Sequence, residues 1–258
     1  LIICRKLLII CLHFTASIAL TWKHSVTTRK TMFEDLSFKD MLASSATIST
    51  VLQFLTGSVI CHRYIRKKST GETSSIPFVS GFLSCSLWLK YGLLSEEHTI
   101  IFVNTIGSAL FFSYVIIYFT FSVNKRTVVR QFLTVSCFIL ACTVYTKYEQ
   151  DAEKSLRVIG LICCCVGVLF FASPLSVLAQ VIRTKNTESL PFPIIIASFF
   201  VSLQWFLYGM LIEDNFIQVP NLLGCILSSV QLLLYVIYPN RKSNIDSGPS
   251  YQPLRSDA

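Results

Sequence analysis

Residues 88–118 read WLKYGLLSEEHTIIFVNTIGSALFFSYVIIY, and residues 205–235 read WFLYGMLIEDNFIQVPNLLGCILSSVQLLLY. At a constant offset of 117, Trp88, Tyr91, Gly92, Leu94, Glu96, Ile100, Asn104, Gly107, Leu110 and Tyr118 recur as Trp205, Tyr208, Gly209, Leu211, Glu213, Ile217, Asn221, Gly224, Leu227 and Tyr235. Apolar helices aligned by chance share Leu and Ile. They do not share Trp, Tyr-Gly, Asn and Gly at a single spacing. Upstream, Phe54, Ile65, Arg66, Lys68 and Thr70 recur as Phe171, Ile182, Arg183, Lys185 and Thr187. The chain is a duplicated unit.

Composition says where such a unit resides. Of 258 residues, 53% are hydrophobic and 14% charged, and the mean hydropathy is +0.61. Soluble domains average about 45–50% apolar and about 25% charged, so there are too few charges to coat a water-soluble globule. A disordered chain, a disulfide-stapled secreted domain and most cytosolic enzymes are thereby excluded. A bilayer-spanning helix needs about 20 largely apolar residues. Seven such segments follow, at 42–62, 77–95, 99–121, 130–146, 158–182, 191–212 and 216–238. They read as helices, because a helix satisfies its own backbone in lipid and the strict alternation of a barrel is absent. The fourth is the shortest and least regular.

The expected fold is therefore an all-α membrane protein of seven transmembrane helices, two parallel three-helix repeats joined by a linker helix. Residues 42–121 make the first repeat, 122–157 the linker helix and its loops, and 158–238 the second repeat. Residues 1–41 form an N-terminal extension or leader. Arg5 and Lys6 precede an apolar run, Leu7–Leu20, that is similar to a signal-peptide core, although translated upstream sequence with a start at Met32 or Met41 is the favoured reading. Residues 239–258 are polar and rich in Ser, Pro and Gly, and are expected to form a disordered tail. Within it, Tyr251-Gln252-Pro253-Leu254 has the form read by sorting adaptors.

The net charge is +8. On a soluble domain that balance would suggest nucleic acid; here it reads as a topology signal. One set of connections carries Arg63, Arg66, Lys67, Lys68, Lys125, Arg126, Arg130, Arg183, Lys185, Arg241, Lys242 and Arg255, against Lys147, Lys154 and Arg157 on the other. The positive-inside rule puts the first set and the C-terminus in the cytosol, and the N-terminus outside. The cysteines include no Cys-x-x-Cys pair and lie mostly within apolar segments, so they read as small packing residues, not metal or disulfide partners. No cofactor is implied.

Three helices plus one place both repeats in the same orientation, related by an axis along the membrane normal. Transporters use parallel repeats of this kind, with the substrate site at the repeat interface. The chain resembles the SWEET family of sugar transporters over residues 42–240. The residues that carry the resemblance are Lys68-Ser69-Thr70 with Pro77-Phe78, and Lys185-Asn186-Thr187 with Pro191-Phe192. Trp88 with Asn104 and Trp205 with Asn221 add a spacing of 16 in both halves. The pattern is closest to the animal branch and insect-like in its loops. The resemblance implies a non-enzymatic, bidirectional carrier of a small sugar such as glucose, embedded in the plasma membrane and in Golgi or other endomembranes. It leaves the oligomeric state open, a homo-oligomer included.

The sharpest site residues are Asn104 and Asn221. An amide in an apolar setting without a partner costs about 2–7 kcal/mol, so each faces a partner or a cavity. An interhelical hydrogen bond would meet that need. Two symmetric amides also suit a polyhydroxylated ligand, since an amide both donates and accepts, and the resemblance implies that they bind sugar. Trp88 and Trp205 are the second pair. Tryptophan near a helix end is ordinarily an interfacial anchor, but an indole also stacks on the C–H face of a sugar ring, the role the family implies.

The resemblance further assigns Pro77, Pro174 and Pro191 to three positions of a proline tetrad that gates the cytosolic side. Gly57 stands at the fourth. Tyr91 and Asp214 match the family's outer gate, a phenol–carboxylate pair. Ion-coupled carriers usually keep a carboxylate or histidine at membrane depth; here no charged residue interrupts the span interiors except Lys90, near enough to the outer face to snorkel, and His62 and His98 sit at segment ends. Facilitated diffusion is expected. An amino-acid exporter of the PQ-loop kind would show a Pro-Gln pair and an intramembrane acid. A seven-helix receptor would not be duplicated, and an intramembrane enzyme would show paired acids, a metal cluster or a nucleophile elbow.

Overall fold

The computed structural model describes residues 38–238, and all that follows concerns them. The described residues form helices and no strand: α1 Phe38–Lys67, α2 Ile76–Ser95, α3 His98–Phe121, α4 Lys125–Tyr148, α5 Ala152–Phe170, α6 Ala172–Thr184, α7 Phe192–Leu211 and α8 Asn215–Ile237. Helices α5 and α6 are two halves of one span, which leaves seven rods arranged as three, one and three. The sorting-type motif, the tail and residues 1–37 of the expected leader lie outside the described residues. Residues 38–41, assigned above to the extension, belong instead to α1, where Asp40 in the first turn complements the positive helix end.

Six segments are long and apolar enough to cross a membrane. The seventh rod, α2, is 20 residues long but carries Pro77, Lys90 and the serines Ser80, Ser84, Ser86 and Ser95. It packs among α3, α4 and α5, so protein covers much of what lipid would otherwise meet.

Polar caps carry several helices past their apolar stretches. Asn124 accepts the Thr127 N–H at 3.3 Å and Asp151 that of Lys154 at 3.0 Å, each satisfying an orphan donor of a first turn. The fourth segment is accordingly an unbroken 24-residue helix, not the shortest and least regular as its composition suggested. The irregular one is the fifth. Pro174 has no N–H for the Phe170 carbonyl, and the span opens at Phe171, whose own N–H bonds to Val168 O at 3.0 Å.

The duplication is visible in the backbone. Left-handed residues end the first helices at Lys68 and Lys185, φ 52° and 51°, and follow the second helices at Glu96 and Glu213, φ 56° in both. Tyr118 donates to Thr73 O and Tyr235 to Leu190 O, again 117 apart. A Cβ on Gly107 would stand 2.6 Å from Cys85 Sγ, and one on Gly224 2.6 Å from Ser202 Oγ. Glycine is what lets the second and third helices of each unit approach so closely.

The two units meet along two seams, α1 with α7 and α2 with α5. The α2–α5 seam is apolar, built from Leu87, Ile159 and Cys163, all at most 1% exposed. The α1–α7 seam is polar. Gln204 donates to Ser45 at 2.6 Å and accepts from Ser49, and Gln53 donates to Ser198 at 3.2 Å. One offset of 117 relates these residues to Leu87, Ile162, Val166, Phe170 and Gly81 on the other seam.

Candidate functional site

Helix geometry brings the four paired residues to one depth. Trp88 lies seven residues before the end of α2 and Asn104 six after the start of α3. Trp205 is six before the end of α7, and Asn221 six after the start of α8. At 1.5 Å per residue, all four sit about 10 Å below the acidic end. They line one cavity of about 550 Å3 between the units, together with Thr50, Gln53, Pro77 and Ser202.

Both amides are held the same way. Asn104 Nδ2 donates to Ile100 O at 2.9 Å and Asn221 Nδ2 to Ile217 O at 2.8 Å. A carbonyl acceptor requires the amide nitrogen on that side, so each Oδ1 and one N–H are left for the cavity. The sequence alone left both donors of each amide available; the structure spends one on the helix.

The indoles are not equivalent. Each stands edge-on to the tyrosine one turn on, Trp88 to Tyr91 at 5.5 Å and Trp205 to Tyr208 at 5.7 Å. Trp205 Nε1, however, donates to Thr50 Oγ1 at 2.8 Å, and Thr50 is itself held by Ala46 O at 2.7 Å. The position equivalent to Thr50 is Gly167, so the second repeat supplies no hydroxyl to Trp88. Sequence reasoning missed Thr50 for that reason: the repeat predicts nothing where one copy has no side chain.

At the acidic end, Tyr91 donates to Asp214 Oδ2 at 2.6 Å. A second bond mirrors it, from Tyr208 to Glu97 Oε2 at 2.9 Å, with Thr99 Oγ1 at 3.2 Å. Lys39 stands 3.8 Å from Glu97 and 5.9 Å from the Tyr208 ring centre. The offset of 117 turns Tyr91 into Tyr208 and Asp214 into Glu97, so the repeat held the signal for this pair. Asp214 also caps α8 by accepting the Phe216 N–H at 2.9 Å. Outside the spans, the Lys154 ammonium, 2.7 Å away, holds the Glu149 carboxyl below its usual range.

The tetrad positions divide. Pro77 is in the first turn of α2 and Pro191 precedes α7, where a missing N–H leaves no broken bond. Pro174 lies just past the break at Phe171. Gly57 lies within unbroken α1 and is buried. Among the described residues, no group of three or more His, Cys, Asp or Glu is placed to hold a metal, and the eight cysteines are free thiols.

A family model described as "Sugar efflux transporter for intercellular exchange" matches residues 40–126 and again 157–243. Sugar transporter SWEET1 of Drosophila pseudoobscura pseudoobscura is 54% identical over 215 residues, 83% of this chain and 94% of the relative. Bidirectional sugar transporter N3 of Medicago truncatula is 34% identical, over 75% of this chain and 74% of the relative. Among solved structures, a eukaryotic SWEET transporter at 3.7 Å resolution superposes with a TM-score of 0.71 at 27% identity, covering 78% of this chain and 99% of its own. The doubled match falls on the two units found by internal repetition, and the chain belongs to the SWEET family of sugar transporters.

Proposed function

We propose that this chain is a bidirectional, facilitative sugar transporter that moves mono- or disaccharides, glucose among them, by alternating access. The observation that carries the reading is the pair of amides, each with one N–H bound to its own helix and its oxygen left for the cavity between the units. Two acceptors at one depth suit hydroxyl donors, and two indoles suit the apolar faces of the same ring. The cavity volume lies within the about 300–1,000 Å3 usual for small-molecule sites.

Under this reading Asn104, Asn221, Trp88 and Trp205 bind the sugar. Tyr91 with Asp214, and Tyr208 with Glu97, close the outer mouth. Pro77, Pro174 and Pro191, with Gly57, serve the inner gate. Residues 42–121 and 158–238 rock against each other, joined through 122–157. The basic loops and C-terminus face the cytosol, with the N-terminus outside, in the plasma membrane and endomembranes such as the Golgi. No carboxylate among the described residues lies at membrane depth, so transport runs down the sugar gradient without a coupled ion.

The test is labelled-glucose uptake and efflux in transporter-deficient cells, comparing wild type with Asn104→Ala/Asn221→Ala at matched surface expression. Losing both amides, at about 1–1.5 kcal/mol each, should cut flux about a hundredfold. Ordinary flux in the double variant would overturn the site. Uphill accumulation driven by an imposed pH or sodium gradient in proteoliposomes would overturn the uncoupled mechanism.

A further inference from the structure

Helix α4 lies outside the repeats, and only Val128 and Cys142 on it are buried. One face holds it to the bundle: Val128 and Phe132 join the first-repeat core, and Ser75 donates to Gln131. The other face, with Phe119 of α3, forms a groove of about 790 Å3. Lys125, Arg126 and Arg130 stand at its head, and Val129 and Leu133 run below them. Arg126 to Leu133 covers about 10 Å along the axis, so the groove descends from the charged rim into the apolar zone.

The cations at this rim are uncompensated. The sequence contains no Asp or Glu between Thr99 and Tyr148, and none of the three pairs with a carboxylate among the described residues. The ion pairs seen, Lys39–Glu97, Lys154–Glu149 and Arg157–Glu153, all lie at the opposite end. Lys125 is turned back over the groove, its ammonium 5.4 Å from the centre of the Phe119 ring. A topology signal needs charges at the right end; it does not need them gathered over an apolar trough on α4 that Phe119 of α3 closes on one side. The other basic hollow, around Arg63, Arg66 and Lys67, lies on α1 alone, with no residue of a second helix lining it.

We propose that this α3–α4 groove binds one anionic phospholipid of the bilayer. The phosphate is held by Arg126, Arg130 and Lys125, and an acyl chain lies along Val129 and Leu133 against Phe119. Guanidinium groups suit phosphate oxygens because they donate in a planar fork, and basic pockets between helices at a membrane surface are matched to lipid head groups. The lipid bridges the linker helix to the first repeat.

The test is native mass spectrometry of the full chain released from phosphatidylcholine vesicles containing a minority of phosphatidylserine. One phosphatidylserine should be retained per chain, enriched at least about thirtyfold above its share of the vesicle, as expected for two to three surface cations at about 1 kcal/mol each. Arg126→Gln/Arg130→Gln should abolish the enrichment, whereas Arg63→Gln/Arg66→Gln should leave it. Val129→Trp, which fills the groove and keeps every charge, should also abolish it and serves if the arginine variant does not fold. Excess inorganic phosphate should not displace the lipid. Retention of both lipids in proportion to the vesicle, or enrichment that survives both groove variants, would overturn the proposal. So would a second copy of the chain cross-linked through Cys137 in place of the lipid.

Discussion

At equivalent points of the two repeats, α1 runs unbroken past Phe54 and Gly57, whereas the α5–α6 span opens at Phe171, three residues before Pro174. The difference is not confined to the proline. Beside Gly57 lies the fully buried ring of Tyr114; a Cβ on residue 57 would stand 2.5 Å from it. Tyr114 also donates to Phe54 O at 3.2 Å. Its counterpart in the second repeat is Gln231. One repeat therefore couples glycine with a tyrosine wedge, and the other couples proline with a slimmer amide. The ring that α1 lacks at residue 57 is supplied against it from α3 by Tyr114. Under the proposed mechanism, the unbroken rod and its clamp make α1 the stiffer of the two first helices and put the flexing point on α5–α6.

The comparison can be broken at several points. The largest effect is expected from Gly57→Pro, which drives a ring into Tyr114 and removes a helix hydrogen bond, a cost of about 3 kcal/mol or more. Purified protein should lose its cooperative melt, and Gly57→Pro/Tyr114→Gln, which installs the second repeat's pair, should regain much of it. A wild-type melting temperature for the single variant would end the wedge argument. Next comes Pro174→Ala. It returns an N–H to the Phe170 carbonyl, and the closed span should slow exchange flux about tenfold, about 1.4 kcal/mol of barrier, at ordinary surface expression. Undiminished flux would place the flexing point elsewhere. The smallest effect concerns the tether that one indole has and the other lacks. Thr50→Val should raise the sugar KM roughly fivefold, the scale of one neutral hydrogen bond, with Vmax nearly kept, and Thr50→Ser should behave as wild type. Equal KM values for Val and Ser would show that Thr50 does not position Trp205.

Much of this was legible in the sequence because duplication writes each important position twice. The amides and the indoles follow from residues that recur at 117, the Tyr91–Asp214 bond was implied by the family resemblance, and the left-handed turns at Glu96 and Glu213 repeat the same offset in the backbone. What stayed hidden lies where the copies differ. Thr50 corresponds to Gly167, and Tyr114 to Gln231, so neither residue could be inferred from the other half. The break in the fifth span was also illegible, since Pro220 sits inside α8 without interrupting it; proline alone does not say where a helix opens. Composition misjudged the fourth segment for a different reason: its ends are set by Asn124 and by polar residues that hydropathy discards.

The two bonds at the acidic end, finally, are one bond made twice. Each unit contributes one phenol donor and one carboxylate acceptor, so a single three-helix unit is complementary to a copy of itself turned by half a revolution about the membrane normal. Under the proposed gating, closure of that mouth is therefore redundant. A substitution at Tyr91 or Asp214 leaves Tyr208 and Glu97 able to latch, and only the loss of one bond from each diagonal removes the closure altogether.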